Sequence, residues 1–388
     1  MTRKGVWNLQ QVRDKYLQSL WDSSSQYFGW GNNPNGVLGQ NNTTQYSSPI
    51  QIPGAWSKFT PSSGTNDTVH AVKDDGTLWG WGRSNTYGNL GDNTTIRRSS
   101  PTQIPGTTWN DVCSGMYTTL AIKTDGTLWT WGHSTKGVLG LNQSTPVKIS
   151  SPTQIPGTTW RTAHACRTTA FATKTDGTLW AWGSGSYGNL PQNNRTQYSS
   201  PVQIPGTTWN SIGAGWNGAV ASKTDGTLWS WGYGNHGNLG HGQHNTSYSS
   251  PNQIPGTSWN QATMNFYTAL ATRTDGTLWS WGYNNAGSSG LLGQNQGGPT
   301  VASTSSPKQV PGTTWNKIAI GNQKMLATKT DGTLWTWGRN IYGSLGQNPG
   351  VAYISSPTQI GSDTGWEYIS HSYFGGRAIK KPLTPSQL

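Results

Sequence analysis

Three histidines fall within one loop, His236, His241 and His244, and a His-x-x-His spacing can offer two imidazoles to a metal ion. No acid or cysteine stands near enough in the sequence to complete a shell, so no metal is expected. Paired carboxylates for general acid–base work are just as hard to find. The chain has one glutamate, Glu367, and six of its 14 acids occupy one repeated turn, at Asp75, Asp125, Asp176, Asp225, Asp275 and Asp331. The other eight are scattered. Cys113 and Cys166 are the two cysteines. They are too few for a disulfide framework and lack a nucleophile's surroundings, so we expect two buried thiols. The many glycines belong to turns and not to a phosphate-binding motif. Catalytic residues, cofactors and metals are therefore not expected, and the chain reads as non-enzymatic.

The elements that would position any site are copies of one another. Asp-Gly-Thr-Leu-Trp occurs six times, at intervals of 50, 51, 49, 50 and 56 residues. Ser-Ser-Pro recurs seven times, with prolines at Pro49, Pro101, Pro152, Pro201, Pro251, Pro307 and Pro357. A Trp-Gly step also recurs at seven equivalent places, from Trp30 to Trp337, and a third tryptophan series runs from Trp56 to Trp366. Such a period means one supersecondary unit that cannot bury its apolar faces alone. Each copy offers short runs of Val, Ile, Thr, Leu and Trp between Pro-Gly and Asp-Gly breaks, the pattern of strands joined by tight turns, with Asp-Gly suited to a two-residue hairpin. About four strands fit into fifty residues. The spacing predicts an all-β fold, a seven-bladed β-propeller of four-stranded blades, since ring closure protects strand edges. The first copy enters late, at Tyr27-Phe28-Gly29-Trp30-Gly31, and the last stops near Gly376–Lys380, so strands from both ends should share one blade. The domains expected are an arm at 1–25, a propeller at 26–380 and a tail at 381–388.

Hydrophobic residues make up only 31% of the chain, but it holds 23 tryptophans, each able to bury a large area. The net charge is +12. Seven of the basic residues hold one repeat position, two before the turn aspartate: Lys73, Lys123, Lys174, Lys223, Arg273, Lys329 and Lys380. Paired with the turn acids, that ring is near neutral, and the remaining surplus is spread along the sequence. With no dense basic stripe, nucleic acid is not expected as the partner. No apolar run of seven or more follows Arg3 and Lys4, so no signal peptide is expected, and no stretch approaches membrane-spanning length.

The strings Asp331-Gly332-Thr333-Leu334-Trp335-Thr336-Trp337-Gly338 and Arg339-Asn340-Ile341-Tyr342-Gly343-Ser344-Leu345-Gly346 resemble the repeat of the regulator-of-chromosome-condensation family, and the likeness runs from about residue 27 to 380. That resemblance implies a seven-bladed propeller closed by strands from both termini. It does not imply one activity, because the family includes nucleotide exchange factors, a secreted β-lactamase inhibitor and repeat proteins of bacteria and phages. The resemblance also implies a histidine seven residues before the turn aspartate. This chain has Thr118, Thr169, Gly218, Thr268 and Lys324 there, which speaks against a chromatin-linked role. The opening, Gly5-Val6-Trp7-Asn8-Leu9-Gln10-Gln11, is similar to the short openings of tailed-phage virion proteins. Its Leu9, Val12, Tyr16 and Leu20 fit one apolar face of a short helix; with Trp7 and Trp21 they would attach to other virion proteins or pack across the propeller.

Function should lie where the copies differ. Two positions between the second and third strands of the repeat vary: Met116-Tyr117, Arg167-Thr168, Trp216-Asn217, Phe266-Tyr267, Asn322-Gln323 and Tyr373-Phe374. Rotational repetition places them in a ring on one face. Aromatics, amides and arginine there suit a recognition surface for protein or sugar; alternatively they pack on one another or plug the channel. The reading drawn from the arm is a virion protein, made in the host cytoplasm, on a tail or capsid surface, with that face contacting a host-surface protein or glycan. The alternatives are a soluble protein-binding propeller, of inhibitor or GTPase-exchange type, and a nucleic-acid binder.

Overall fold

The computed structural model describes residues 25–60, 68–82, 86–143, 146–284, 290–295, 303–347, 352–372 and 374–381. Twenty-eight strands form seven antiparallel four-stranded sheets. One blade shows the plan: Trp109–Ser114 lies innermost, followed outward by Thr118–Lys123, Leu128–Ser134 and Val147–Ile155. The innermost strands touch one another in succession, and Trp366–His371 returns to Trp56–Phe59, so the ring is closed. Closure runs through a sheet ordered Tyr46–Ile52, Gln26–Gly31, Gly376–Lys380, Trp366–His371. Its central ladder pairs Gln26 with Lys380 and Gly29 with Arg377.

The blade is out of phase with the repeat as it reads in sequence. Ser-Ser-Pro lies on the outermost strand of one blade, and the tryptophan that follows opens the innermost strand of the next. Proline belongs at that edge, where a missing N–H costs no ladder bond. At the other end of the outermost strands a main-chain bond also ties neighbouring blades: Asn142 N donates to Ser199 O of the next blade at 2.8 Å.

Asp-Gly-Thr-Leu-Trp is a relay of hydrogen bonds. In all six copies the aspartate Oδ1 accepts from the backbone N–H of the threonine at 2.9 Å and from its hydroxyl at 2.6–2.7 Å. The same hydroxyl oxygen accepts the indole N–H of the tryptophan at 2.8–2.9 Å. The turn itself differs from the two-residue hairpin expected. Lys123 N donates to Thr127 O and Gly126 N to Lys123 O, both at 3.0 Å, leaving Thr124-Asp125-Gly126 as the loop. Only Gly126 takes positive φ, +75°, the geometry of a type I turn followed by a glycine bulge. Aspartate is there to accept bonds, which leaves its φ negative.

The tryptophan of six of the seven Trp-Gly steps joins blades by a hydrogen bond. Its indole N–H donates to a main-chain oxygen of the preceding blade at 2.8–3.3 Å: Trp81 to Val37, Trp131 to Asn89, Trp182 to Val138, Trp231 to Asn189, Trp281 to Asn238 and Trp337 to Leu291. The repeated basic residue serves a different purpose from neutralising its neighbour aspartate. In the six full copies its charged group sits 3.9–5.3 Å from the ring centroids of two tryptophans of its own blade. In five of these blades the two rings meet edge to face, as Trp109 and Trp129 do at 6.0 Å. A cation over an aromatic face gains roughly 0.5–2 kcal/mol depending on its desolvation.

Thr227→Val keeps the side-chain shape and removes both hydroxyl bonds. The expected cost is about 1–2 kcal/mol in denaturant unfolding, because the Trp229 N–H loses its acceptor. The six turn aspartates have pKa values held below the ordinary 3.8, first by the threonine hydroxyl and next by its N–H. A depressed carboxylate stabilises the fold above its unfolded value and loses that contribution as pH falls. Changing all six to Asn retains an acceptor oxygen without the titration, so the loss of stability between about pH 4 and pH 2 should be shallower than in the parent, measured by acid unfolding.

Candidate interaction face

The variable pairs lie in the loops that join each innermost strand to the second strand, at the end of the propeller opposite the Asp-Gly turns. One main-chain bond holds each pair. Tyr117, Thr168, Asn217, Tyr267 and Gln323 accept at their carbonyls from the N–H of His133, Ser184, Tyr233, Tyr283 and Arg339 at 2.8 Å, and Phe374 accepts from Asn32 at 2.9 Å. The donor always follows a Trp-Gly step. Gly132 shows why that step needs glycine: φ is +106° and a Cβ would stand 2.1 Å from Tyr117 O. Because the anchor is main chain, the side chains of the pair are free to differ.

Side chains from several blades meet on this face. The Arg167 guanidinium lies 4.7 Å from the Trp216 ring, Trp216 lies 4.2 Å from Phe266, and Phe266 lies 6.4 Å from Tyr267. An arginine and three aromatics thus run unbroken across three blades. Arg167 is exposed and the other three are half-buried: they pack together and still present surface. Tyr117 belongs to a separate group, 5.1 Å from Tyr87 and 6.2 Å from His133. Tyr87 and His133 stack at 4.7 Å, with Lys148 over Tyr87. Asn322, Gln323 and Phe374 line a cleft of about 210 Å³ with Lys324 and Arg339. Met116, Thr168 and Asn217 are half-buried members of the ring. Tyr373 and the arm residues Trp7, Leu9, Val12, Tyr16, Leu20 and Trp21 lie outside the described residues.

Sequence comparison of the copies missed half of the contacts. Tyr87, His133, Tyr233, His236, Tyr283 and Arg339 all take part. His236 lies 5.3 Å from Tyr267 and 4.5 Å from Tyr283, and Tyr187 pairs with Tyr233 at 5.5 Å. The signal was available: the residue after Trp-Gly varies among the copies, through Asn32, Arg83, His133, Ser184, Tyr233, Tyr283 and Arg339, while the step itself does not. The neutral form of His133 is favoured by partial burial and then by Lys148, and that of His236 by partial burial and then by His244, so both act as aromatic partners. The three loop histidines do not converge on a metal. His241 turns inward to Ser230 Oγ at 2.9 Å while His236 joins the face, and no group of three potential ligands lies together among the described residues.

The other titratable groups are structural. His70 is buried with both ring nitrogens bonded, to Ser114 Oγ and Leu90 O at 3.0 Å; burial pushes its pKa down to about 4. Cys113 and Cys166 are buried free thiols, and burial raises the latter to about 12.

Charge is divided between the two ends. The turn aspartates, Asp363 and Glu367 lie at the turn end. Among the described residues the candidate face has one acid, Asp92, paired with Arg98 at 3.1 Å. On the same side are Lys136, Lys148, Arg167, Arg195, Lys324 and Arg339. A surplus that looks dispersed along the sequence is collected by the topology.

A closed ring of identical scaffolds with one variable, basic, aromatic face defines a propeller of the binding type. Residues 75–122, 125–166, 176–222, 225–264 and 331–374 match the regulator of chromosome condensation (RCC1) repeat, and the chain belongs to that family. The copy holding the 56-residue interval and the residues before 75 fall outside the matched spans. Prp20p of Saccharomyces cerevisiae, in a crystal structure titled for its binding to Gsp1p and histones, has 18% identity and a TM-score of 0.82, over 95% of this chain and 94% of that one. Yeast RCC1 (Prp20) bound to Kap60 gives 18% and 0.80, over 100% and 96%. Human WBSCR16 gives 17% and 0.78, over 93% and 100%. The virion location expected from the opening residues is corrected by these matches. The three structures just named, which share the fold over nearly their whole length, come from yeast and human. The string that suggested a virion is short and lies outside the repeats that carry the match.

Proposed function

We propose that the chain is a non-enzymatic protein-binding propeller whose variable face takes an acidic surface of a partner protein. The observation that carries this is the Arg167–Trp216–Phe266–Tyr267 run on the end of the molecule where Asp92 is the one acid among the described residues. Tryptophan, tyrosine and arginine at the centre of a patch are the residue types that dominate binding energy. A one-signed field around them steers an oppositely charged partner and selects against others. The partners printed for the similar structures, Gsp1p, histones and Kap60, are proteins, which supports the class of ligand and not its identity.

The test is a stoichiometric binding measurement with a partner recovered by cross-linking from the source cells. Trp216→Ala with Arg167→Ala should weaken affinity at least 30-fold, about 2 kcal/mol, the usual size of a hot spot, with the fold retained by circular dichroism. Undiminished binding by the double variant would remove the face from the mechanism. Two narrower forms separate in the same preparation. An exchange factor accelerates nucleotide release from a small GTPase, whereas an inhibitor-type binder does not. A nucleic-acid ligand, which the end-on cluster of basic residues also suits, would show affinity falling linearly on a log–log plot against salt.

A further inference from the structure

The row of side chains that crosses the face is one ring short. Arg167, Trp216 and Phe266 hold the same repeat position in three successive blades. Trp216 stands 4.7 Å from the Arg167 guanidinium on one side and 4.2 Å from Phe266 on the other. The next blade has Asn322 at that position. An amide supplies no ring, and a pocket of about 190 Å³ lined by both Phe266 and Asn322 lies at the gap.

The pocket is mostly apolar. Tyr267 lines it beside Phe266, and so do Leu291, Ile320 and Met325, all three buried. Whole small-molecule ligands need roughly 300–1,000 Å³, whereas an apolar cavity of about 150 Å³ takes a single benzene ring. Size and lining together select one aromatic side chain.

The two loops that frame the pocket are the tightest on the face. In these blades strand pairing continues to Asn265 with Thr268 and to Gly321 with Lys324, leaving two residues in each loop. In the blade before them it stops at Ala214 with Ala219 and leaves four. Phe266 and Gln323 take φ of +39° and +58°, the left-handed region that a side chain enters at a cost. Loops this short hold Phe266 and Asn322 in place before a ligand arrives, which spares part of the ordering cost of binding.

We propose that this pocket is the anchor point of the face and takes one aromatic side chain of the partner protein, stacked on Phe266 where Asn322 leaves the row unfinished. The proposal rests on the protein-binding reading for the source of the ring, and adds the residue type that the partner must carry. Offset and edge-to-face ring pairs gain more than their buried area alone, and an aromatic anchor seated in a pocket is the usual centre of a hot spot. Acidic residues flanking that anchor would meet Arg167 and the other basic residues of the face.

The experiment is ligand-observed NMR titration of the full chain with neutral N-acetylphenylalaninamide and N-acetylleucinamide. Calorimetry with the pentapeptides Glu-Glu-Phe-Glu-Glu and Glu-Glu-Ala-Glu-Glu follows. The phenylalanine amide should bind at one site with a Kd of about 1 mM, at least fivefold tighter than the leucine amide. Asn322→Phe supplies the absent ring from the chain itself. It should weaken the phenylalanine amide at least tenfold and raise the melting temperature, because it fills the pocket. Phe266→Leu keeps an apolar wall and should abolish the preference for phenylalanine over leucine. No saturable binding of the phenylalanine amide, equal binding of the two amides, or undiminished binding by Asn322→Phe overturns the pocket. The peptides separate the pocket from the rest of the face, and the phenylalanine peptide should bind at least tenfold tighter than the alanine peptide. Peptides that bind equally well overturn the pocket and leave the acidic-partner reading standing. Peptides that bind no tighter than the neutral amide, with the amide preference intact, overturn the acidic partner and leave the pocket.

Discussion

The indole N–H of the Trp-Gly tryptophan, donated across to the preceding blade, is the interaction on which the rest of the structure depends. Each such side chain is fully buried, and each hydrophobic cluster is built at the junction of neighbouring blades. Trp182, for example, packs with Leu120, Leu128 and Ile155 of the blade before it. No blade has a complete core of its own, which is why a chain with 31% hydrophobic residues folds at all. Tryptophan supplies area, and one polar atom per ring fixes where that area goes. The closing blade is the exception. Trp30 is buried with no hydrogen bond at its indole nitrogen, and its place in the ring is secured by the main-chain ladder between Gln26–Gly31 and Gly376–Lys380.

The period, the seven blades and the shared closing sheet were legible because each has a local sequence cause: a turn, an edge proline, a strand missing at either end. What was not legible depended on contacts between copies. The turn was read as a two-residue hairpin from its Asp-Gly letters, but the threonine that follows recruits the aspartate as an acceptor and puts the extra residue in the loop. The basic residue two before the aspartate was read as its electrostatic partner. In space it points to two tryptophans, one of them some fourteen residues earlier in the chain, and the aspartate's depressed pKa comes mainly from hydrogen bonds.

The face was half legible for the same reason. Variation among copies found Arg167, Trp216, Phe266 and Tyr267, because they sit between strands whose letters barely change. It did not find His133, Tyr283 or Arg339, which touch the same loops from the far side of the Trp-Gly step and become neighbours only when the second and third strands of a blade pair. The likeness of the opening residues to virion proteins misled about location. A short string that occurs once cannot be checked against other copies, so its letters carry less information than the repeats do.

The two ends of the ring have different electrostatics as a consequence of how the turns are built. Hydrogen-bonded Asp-Gly turns need a carboxylate or its equivalent at one end of every full blade, and the tryptophan pairs beside them need a cation, so that end is locked into near neutrality by structural demand. The opposite end is held by main-chain bonds and glycine, which require no charged side chain. Among the described residues the basic surplus therefore collects there, around side chains that the scaffold leaves free to change, with Asp92 as the one acid. The proposed function places the partner at that end, since the other is occupied in holding the ring together.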